Sequence, residues 1–167
     1  LHSSRFRCYT SDDVIGVELG GALKNILAIA VGTSDGLGFG ANTRAALMTR
    51  GLAEVMRLGK KLGARQETLM GLAGLGDLIL TCTDDQSRNR RFGLAIGKGK
   101  TVEQALVEVK ETVEGLRAAK AIYLIAQAMS IEVPIMEQTY YVLYDNKNPR
   151  DAVKALEDRP QRSELSQ

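Results

Sequence analysis

The sequence predicts an all-α domain preceded by one short strand. Three observations carry this. The apolar stretch from Val14 to Val31 fills nearly every angle of a helical wheel and never alternates as a half-buried strand would. Helix starts and stops recur along the rest of the chain. There is no internal repeat and no linker to divide it.

Taken in order, Phe6-Arg7-Cys8-Tyr9-Thr10 reads as the strand, and a lone strand has no sheet to join. It is therefore expected to be the end of a sheet lying upstream in a longer chain. Ser11 or Asp12 is placed to cap the first helix, running to about Val31. The glycine-rich segment Gly32 to Gly40 follows no strand and has Gly-x-Gly-x-Gly spacing, so it is read as a connection between helices, not a phosphate loop. A second helix spans about Asn42 to Leu62, with Gly63 as its stop and Arg57, Lys60 and Lys61 facing water. Gln66 to Leu72 is a short helix. Ser87 caps a helix from Arg88 to Ile96, and Thr101 with Gln104 forms a capping box for one through Val109. Helices then run from about Thr112–Gly115 to Met129, from Pro134 to Tyr144, and from Asn148-Pro149 to about Leu156. Glu157 to Gln167 is polar and expected to be loose.

Composition bounds the function. A chain of 167 residues buries roughly 70% of its unfolded surface without staples. Its net charge of +2 and 5% aromatic content argue against nucleic acid. The longest unbroken apolar run, Ile26 to Val31, is far short of a membrane span, and no signal-peptide pattern is visible. Cys8, Cys82 and the one histidine have no metal-type spacing, so no metal is expected. Two thiols suit a reducing, cytoplasmic setting.

Chemistry concentrates in three places. Lys24 sits in the apolar helix, and helical side chains lean over the residues three and four earlier, here Gly21 and Gly20. Two glycines inside a helix each cost about 1 kcal/mol against alanine, so something approaches them closely. Either a ligand fills the notch beside the ammonium, or another helix does and the lysine snorkels to water. Asp77 is the one charge in the run from Leu72 to Leu80, and it shares a helical face with Thr81. Alone it reads as a cap; a buried lysine nearby would want it as a partner. Finally, Ser87-Arg88-Asn89-Arg90-Arg91 joins a cap, free N–H groups and three arginines, which favours an anion site. Otherwise it is a surface basic cluster answering Asp84 and Asp85.

With these residues placed, the chain resembles the C-terminal, substrate-binding half of the bacterial-type NAD(P)-dependent glycerol-3-phosphate dehydrogenase family. The resemblance covers Phe6 to about Asp151. It rests on Gly16-Val17-Glu18-Leu19-Gly20-Gly21-Ala22-Leu23-Lys24-Asn25, on Ser34-Asp35-Gly36-Leu37-Gly38-Phe39-Gly40-Ala41-Asn42, on Gly74-Leu75-Gly76-Asp77-Leu78, and on Thr81-Cys82-Thr83 followed by Ser87-Arg88-Asn89-Arg90-Arg91.

The resemblance implies a helical domain of the 6-phosphogluconate-dehydrogenase-C-terminal-like type at 12–156. Residues 1–11 would end a missing Rossmann domain, and 157–167 would be tail. It implies that Lys24 exchanges the proton at the substrate oxygen, and that Asn25, Asp77 and Thr81 line the same pocket. Ser87, Arg88 and Asn89 would bind the phosphate, while Arg88, Thr112 and Glu114 would contact the cofactor. That cofactor is NAD or NADP, held mainly by the missing N-terminal domain. The reaction implied interconverts sn-glycerol 3-phosphate and dihydroxyacetone phosphate, supplying phospholipid synthesis in the cytoplasm, in a homodimer that binds neither nucleic acid nor membrane. No Gly-x-Gly-x-x-Gly follows a strand here, so the chain alone is expected to be folded but inactive.

Two competitors stand. A related hydroxyacid dehydrogenase would need Gly-x-x-x-Lys-x-x-x-Asn, but Ala28 occupies the last position. A non-catalytic helical module would bind an anionic partner through Arg88, Arg90 and Arg91.

Overall fold

The computed structural model describes residues 3, 5 and 7–160. It is built on one central helix, α1 (Val14–Gly36), with the other helices laid around it. These are α2 (Ala41–Leu62), α3 (Gln66–Met70), a π-helical turn (Leu72–Gly76), α4 (Asp77–Thr83), α5 (Arg88–Gly97), α6 (Val102–Val109), α7 (Glu114–Ala128), α8 (Pro134–Tyr144) and α9 (Pro149–Glu157). No strand forms among the described residues. Arg7 to Thr10 has no regular secondary structure, and Phe6 lies outside the described residues. So do residues 161–167 of the expected tail.

The cap of α1 is Asp13, not Ser11 or Asp12. One carboxylate oxygen accepts from Gly16 N at 2.9 Å and the other from Arg65 N at 2.8 Å, which ties the helix start to the turn before α3. Those backbone donors hold the Asp13 carboxyl below its ordinary pKa. Leu23, Ile26, Leu27, Ala28, Ile29 and Val31 are buried, each worth about 1.5–3 kcal/mol for the larger side chains. Val14, Ile15 and Val17 are not: the first two turns are exposed on their apolar side. At 23 residues α1 is long and apolar enough to cross a membrane, contrary to the short-run estimate, yet half of its apolar window is buried against neighbouring helices.

The helix also outruns its expected end. Gly32 and Gly36 are helical, and only Leu37 to Gly40 forms the connection. A Cβ on Gly32 would meet the carbonyl oxygen of Arg90 at 2.2 Å, and one on Gly36 that of Leu94 at 2.4 Å. Reciprocally, Gly93 faces the Ile29 carbonyl and Gly97 the Thr33 carbonyl. The two helices therefore touch backbone to backbone through glycines four residues apart on each. Local sequence reads such glycines as loop formers; here they serve close packing.

Elsewhere the punctuation is as expected. Gly63 closes α2 in the left-handed conformation, Thr101 and Gln104 form the capping box of α6, and Pro134 and Pro149 open α8 and α9. The start of α8 has an unexpected cap. Glu54 of α2, fully buried, accepts from Ile135 N at 2.7 Å and Met136 N at 3.1 Å.

Candidate functional site

Gly20 and Gly21 do different jobs. A Cβ on Gly20 would stand 2.4 Å from the Ala73 carbonyl oxygen, so this glycine admits the π-helical turn against α1. A Cβ on Gly21 would meet nothing within 4 Å. Gly20 therefore serves packing, while the space beside Gly21 is open. The turn laid on Gly20 delivers Asp77 at the start of α4, and Lys24 Nζ donates to its Oδ2 at 2.5 Å. Thr81, one turn on, donates to the other oxygen at 3.2 Å. Lys24 retains 22% side-chain exposure and Asp77 35%, so the amine is fixed by its partner and still reachable.

The amine opens into a cleft of about 540 Å³. Gly21, Lys24 and Asn25 of α1 form one wall, Leu80 and Thr81 of α4 another, and Ser87, Arg88 and Asn89 the far side. That far side is the start of α5, where Ser87 Oγ accepts from Arg90 N and the N–H groups of Arg88 and Asn89 are the unbonded donors of a first helical turn. The positive end of the helix therefore faces the cleft that holds the ammonium. Asp84 and Gln86, from the turn before α5, also line it; there Gln86 N donates to Asp84 Oδ1.

Asn25 and Asn89 weld this arrangement together. Both are buried. Asn89 Nδ2 donates to Asn25 Oδ1 at 2.9 Å, and Asn89 Oδ1 accepts from Gly115 N at 2.9 Å. Asn25 Nδ2 in turn donates to the Gly21 carbonyl and, at 3.4 Å, to Glu114 Oε2. Three helices, α1, α5 and α7, so meet at two side-chain amides. Gly115 makes the junction possible, since a Cβ there would lie 2.7 Å from Asn89 Oδ1. Glu114 lines the cleft at its exposed edge; Thr112 is exposed and outside the lining.

The three arginines do not form a free basic patch. Arg90 is buried between Asp35 at 2.5 Å and Asp85 at 2.9 Å. Arg88 and Arg91 share Glu111, at 3.4 and 3.0 Å. Glu111 also lines the cleft, and sequence reasoning missed it: it lies between two helices, 20 and 23 residues from its partners, with no local signal. Of these arginines only Arg88 faces the cleft. Cys82, beside Thr81, is fully buried, and burial pushes its thiol up to about 12, so it supplies no thiolate. Among the described residues no three His, Cys, Asp or Glu side chains stand together as a cation site.

An ammonium and a helix N-terminus with one arginine, on opposite sides of a cleft, suit a small molecule bearing an oxygen to be protonated at one end and an anion at the other.

Residues 13–154 match the family model described as NAD-dependent glycerol-3-phosphate dehydrogenase C-terminus. A glycerol-3-phosphate dehydrogenase (NAD(P)+) of Pseudoalteromonas translucida is 62% identical over 98% of this chain and 49% of its own length. One of Nitrosococcus oceani is 60% identical over 99% and 48%. The crystal structure of glycerol-3-phosphate dehydrogenase from Coxiella burnetii superimposes with a TM-score of 0.92 at 53% identity, over 95% of this chain and 49% of that one. The Dunaliella salina enzyme structure does so at 0.83 and 25% identity. The chain spans about half the length of the curated relatives it matches.

Proposed function

Because the chain belongs to the NAD-dependent glycerol-3-phosphate dehydrogenase C-terminus family, we propose that it is the substrate-binding half of an enzyme interconverting sn-glycerol 3-phosphate and dihydroxyacetone phosphate. The observation that carries this is the Lys24–Asp77 pair at 2.5 Å opening into the same cleft as the Ser87–Arg88–Asn89 turn.

Arg88, Ser87 and the first N–H groups of α5 take the phosphate. Lys24 Nζ donates a proton to the carbonyl oxygen as it becomes an alcohol, and takes it back in the oxidising direction, when it must be neutral. Asp77 aims the amine, and Thr81 aims Asp77. Asn25 and Asn89 hold the wall of the pocket, with their remaining surface toward substrate. NAD or NADP supplies hydride acceptance and donation. The exposed guanidinium of Arg88 and the carboxylate of Glu114 at the cleft edge fit its polar groups, with Thr112 beside them. The dinucleotide fold itself is assigned to the other half of the relatives' length, 1–11 belonging with it. A homodimer in the cytoplasm, without membrane or nucleic-acid partners, and a role in phospholipid precursor supply complete the proposal.

The test joins the first half of the Pseudoalteromonas relative to this chain. The chimera oxidises glycerol 3-phosphate with NAD+ or NADP+, and Lys24→Ala abolishes turnover while leaving thermal unfolding unchanged. Near-normal turnover of Lys24→Ala would remove the lysine from the mechanism.

A further inference from the structure

The first turn of α5 holds a cation that the cleft does not use. Arg90 is 8% exposed and sits where a positive charge opposes the helix dipole, a cost that needs an explanation. Its charge is spent on two carboxylates. Nη1 donates to Asp35 Oδ2 at 2.5 Å and Nε to Asp85 Oδ1 at 2.9 Å. Asp35 is itself 7% exposed and also receives Arg44 at 3.0 Å. Asp85 belongs to the turn just before Ser87, and apart from the Arg90 contact it is 78% exposed. The chain of contacts therefore runs from α1, through Arg90, into the turn that precedes the anion seat.

Asp35 stands on the same helix as Lys24, eleven residues further on. That is about three helical turns, so both project from nearly one face, roughly 16 Å apart along the axis. One rigid rod thus carries the amine and the anchor of the turn opposite it. The glycine contacts between α1 and α5 leave no slack between the two helices.

We propose that Asp35 is a positioning residue. Through Arg90 and Asp85 it fixes the 84–87 turn and the start of α5 relative to Lys24, and so sets the span between the protonated oxygen and the phosphate of the substrate. This rests on the functional assignment above. Asp35 lies outside the cleft and touches no ligand. It acts on where the phosphate sits and leaves the proton transfer alone.

The experiment uses the chimera and compares Asp35→Asn, Asp85→Asn and Arg44→Gln. A misplacement of the seat by a fraction of an ångström is expected to raise KM for glycerol 3-phosphate and the inhibition constant of inorganic phosphate about tenfold in Asp35→Asn and several-fold in Asp85→Asn, with kcat and KM for the dinucleotide within about twofold. Arg44→Gln, which leaves the Asp35–Arg90 contact in place, stays within about twofold throughout. A folded Asp35→Asn whose KM and phosphate inhibition match the parent would overturn the proposal, as would equal loss in kcat and both KM values. Should Asp35→Asn fail to fold, Asp85→Asn decides, since it is a surface substitution. If the parent chimera does not turn over glycerol 3-phosphate, the functional assignment fails instead; titration of this chain and its Asp35→Asn variant with inorganic phosphate then decides the positioning role by the same about tenfold loss.

Discussion

Gly32 and the carbonyl oxygen of Arg90 are so close that a Cβ on the glycine would stand 2.2 Å from it. Together with Gly36, Gly93 and Gly97 this contact lays α5 directly on α1, and so brings the start of α5 to the cleft. Gly32→Ala must push the helices apart. Overpacking of this kind costs about 1–3 kcal/mol, read as a fall in the thermal midpoint. An unchanged midpoint would mean that the helices separate freely.

Gly21→Ala should behave in the opposite way. Open space lies beside this glycine, so alanine gains up to about 1 kcal/mol in helix propensity while its methyl enters the cleft next to Lys24. The expected result is an equal or higher melting midpoint with weaker inorganic phosphate or substrate binding, measured by calorimetry. Destabilisation would show that the position is packed.

Glu111 competes with any bound anion for Arg88. The pair is about half exposed, so its worth is at most about 1 kcal/mol. Glu111→Gln should therefore tighten inorganic phosphate binding by about two- to fivefold at low salt, with the gain fading as ionic strength rises. Weaker binding in the variant would make Glu111 part of the seat instead of its rival.

Glu54 gives the fold a pH dependence. Burial pushes its carboxyl up to about 7 from the ordinary 4.5, while the N–H groups of Ile135 and Met136 pull the other way. A raised folded-state pKa contributes stability that is complete below the unfolded value and lost as pH climbs through the folded one. Unfolding free energy should accordingly decline between about pH 4.5 and 7, by about 3 kcal/mol at most, and flatten above. Chemical denaturation across that window checks it, and Glu54→Gln should remove the slope. The lowered carboxyls of Asp13 and Glu103 act with the opposite sign, losing their contribution only as pH falls through more acidic values.

This chain on its own should bind inorganic phosphate yet oxidise no glycerol 3-phosphate with NAD+ or NADP+. Absorbance at the reduced nicotinamide band is the measurement, and detectable turnover would refute the division of labour.

What the sequence makes legible is local. Ser87, the Thr101–Gln104 box and Asn148 announce helix starts because a cap binds within three residues of itself, and Pro134 does so because its fixed φ suits a first helical position. Lys24 and Asp77 could be paired on paper because Asp77 is the one charge from Leu72 to Leu80 and Lys24 is the one cation from Val14 to Val31. The contacts that were not legible join residues far apart in the chain. Asp35 with Arg90, Glu54 with Ile135, and Glu111 with Arg88 leave no periodic trace. Glycine was the other source of error. The same residue that frees a loop also lets two helices touch, and Gly32 and Gly36 do the second.

Lys24 rides on the buried middle of α1, between residues that are almost wholly sheltered from water. Amide hydrogens from Leu23 to Val31 should therefore exchange with deuterium only when the entire domain opens, whereas those of the 84–87 turn should exchange through small local excursions. Any local opening of the cleft is then borne by the 84–87 turn, and the Lys24 side stays still.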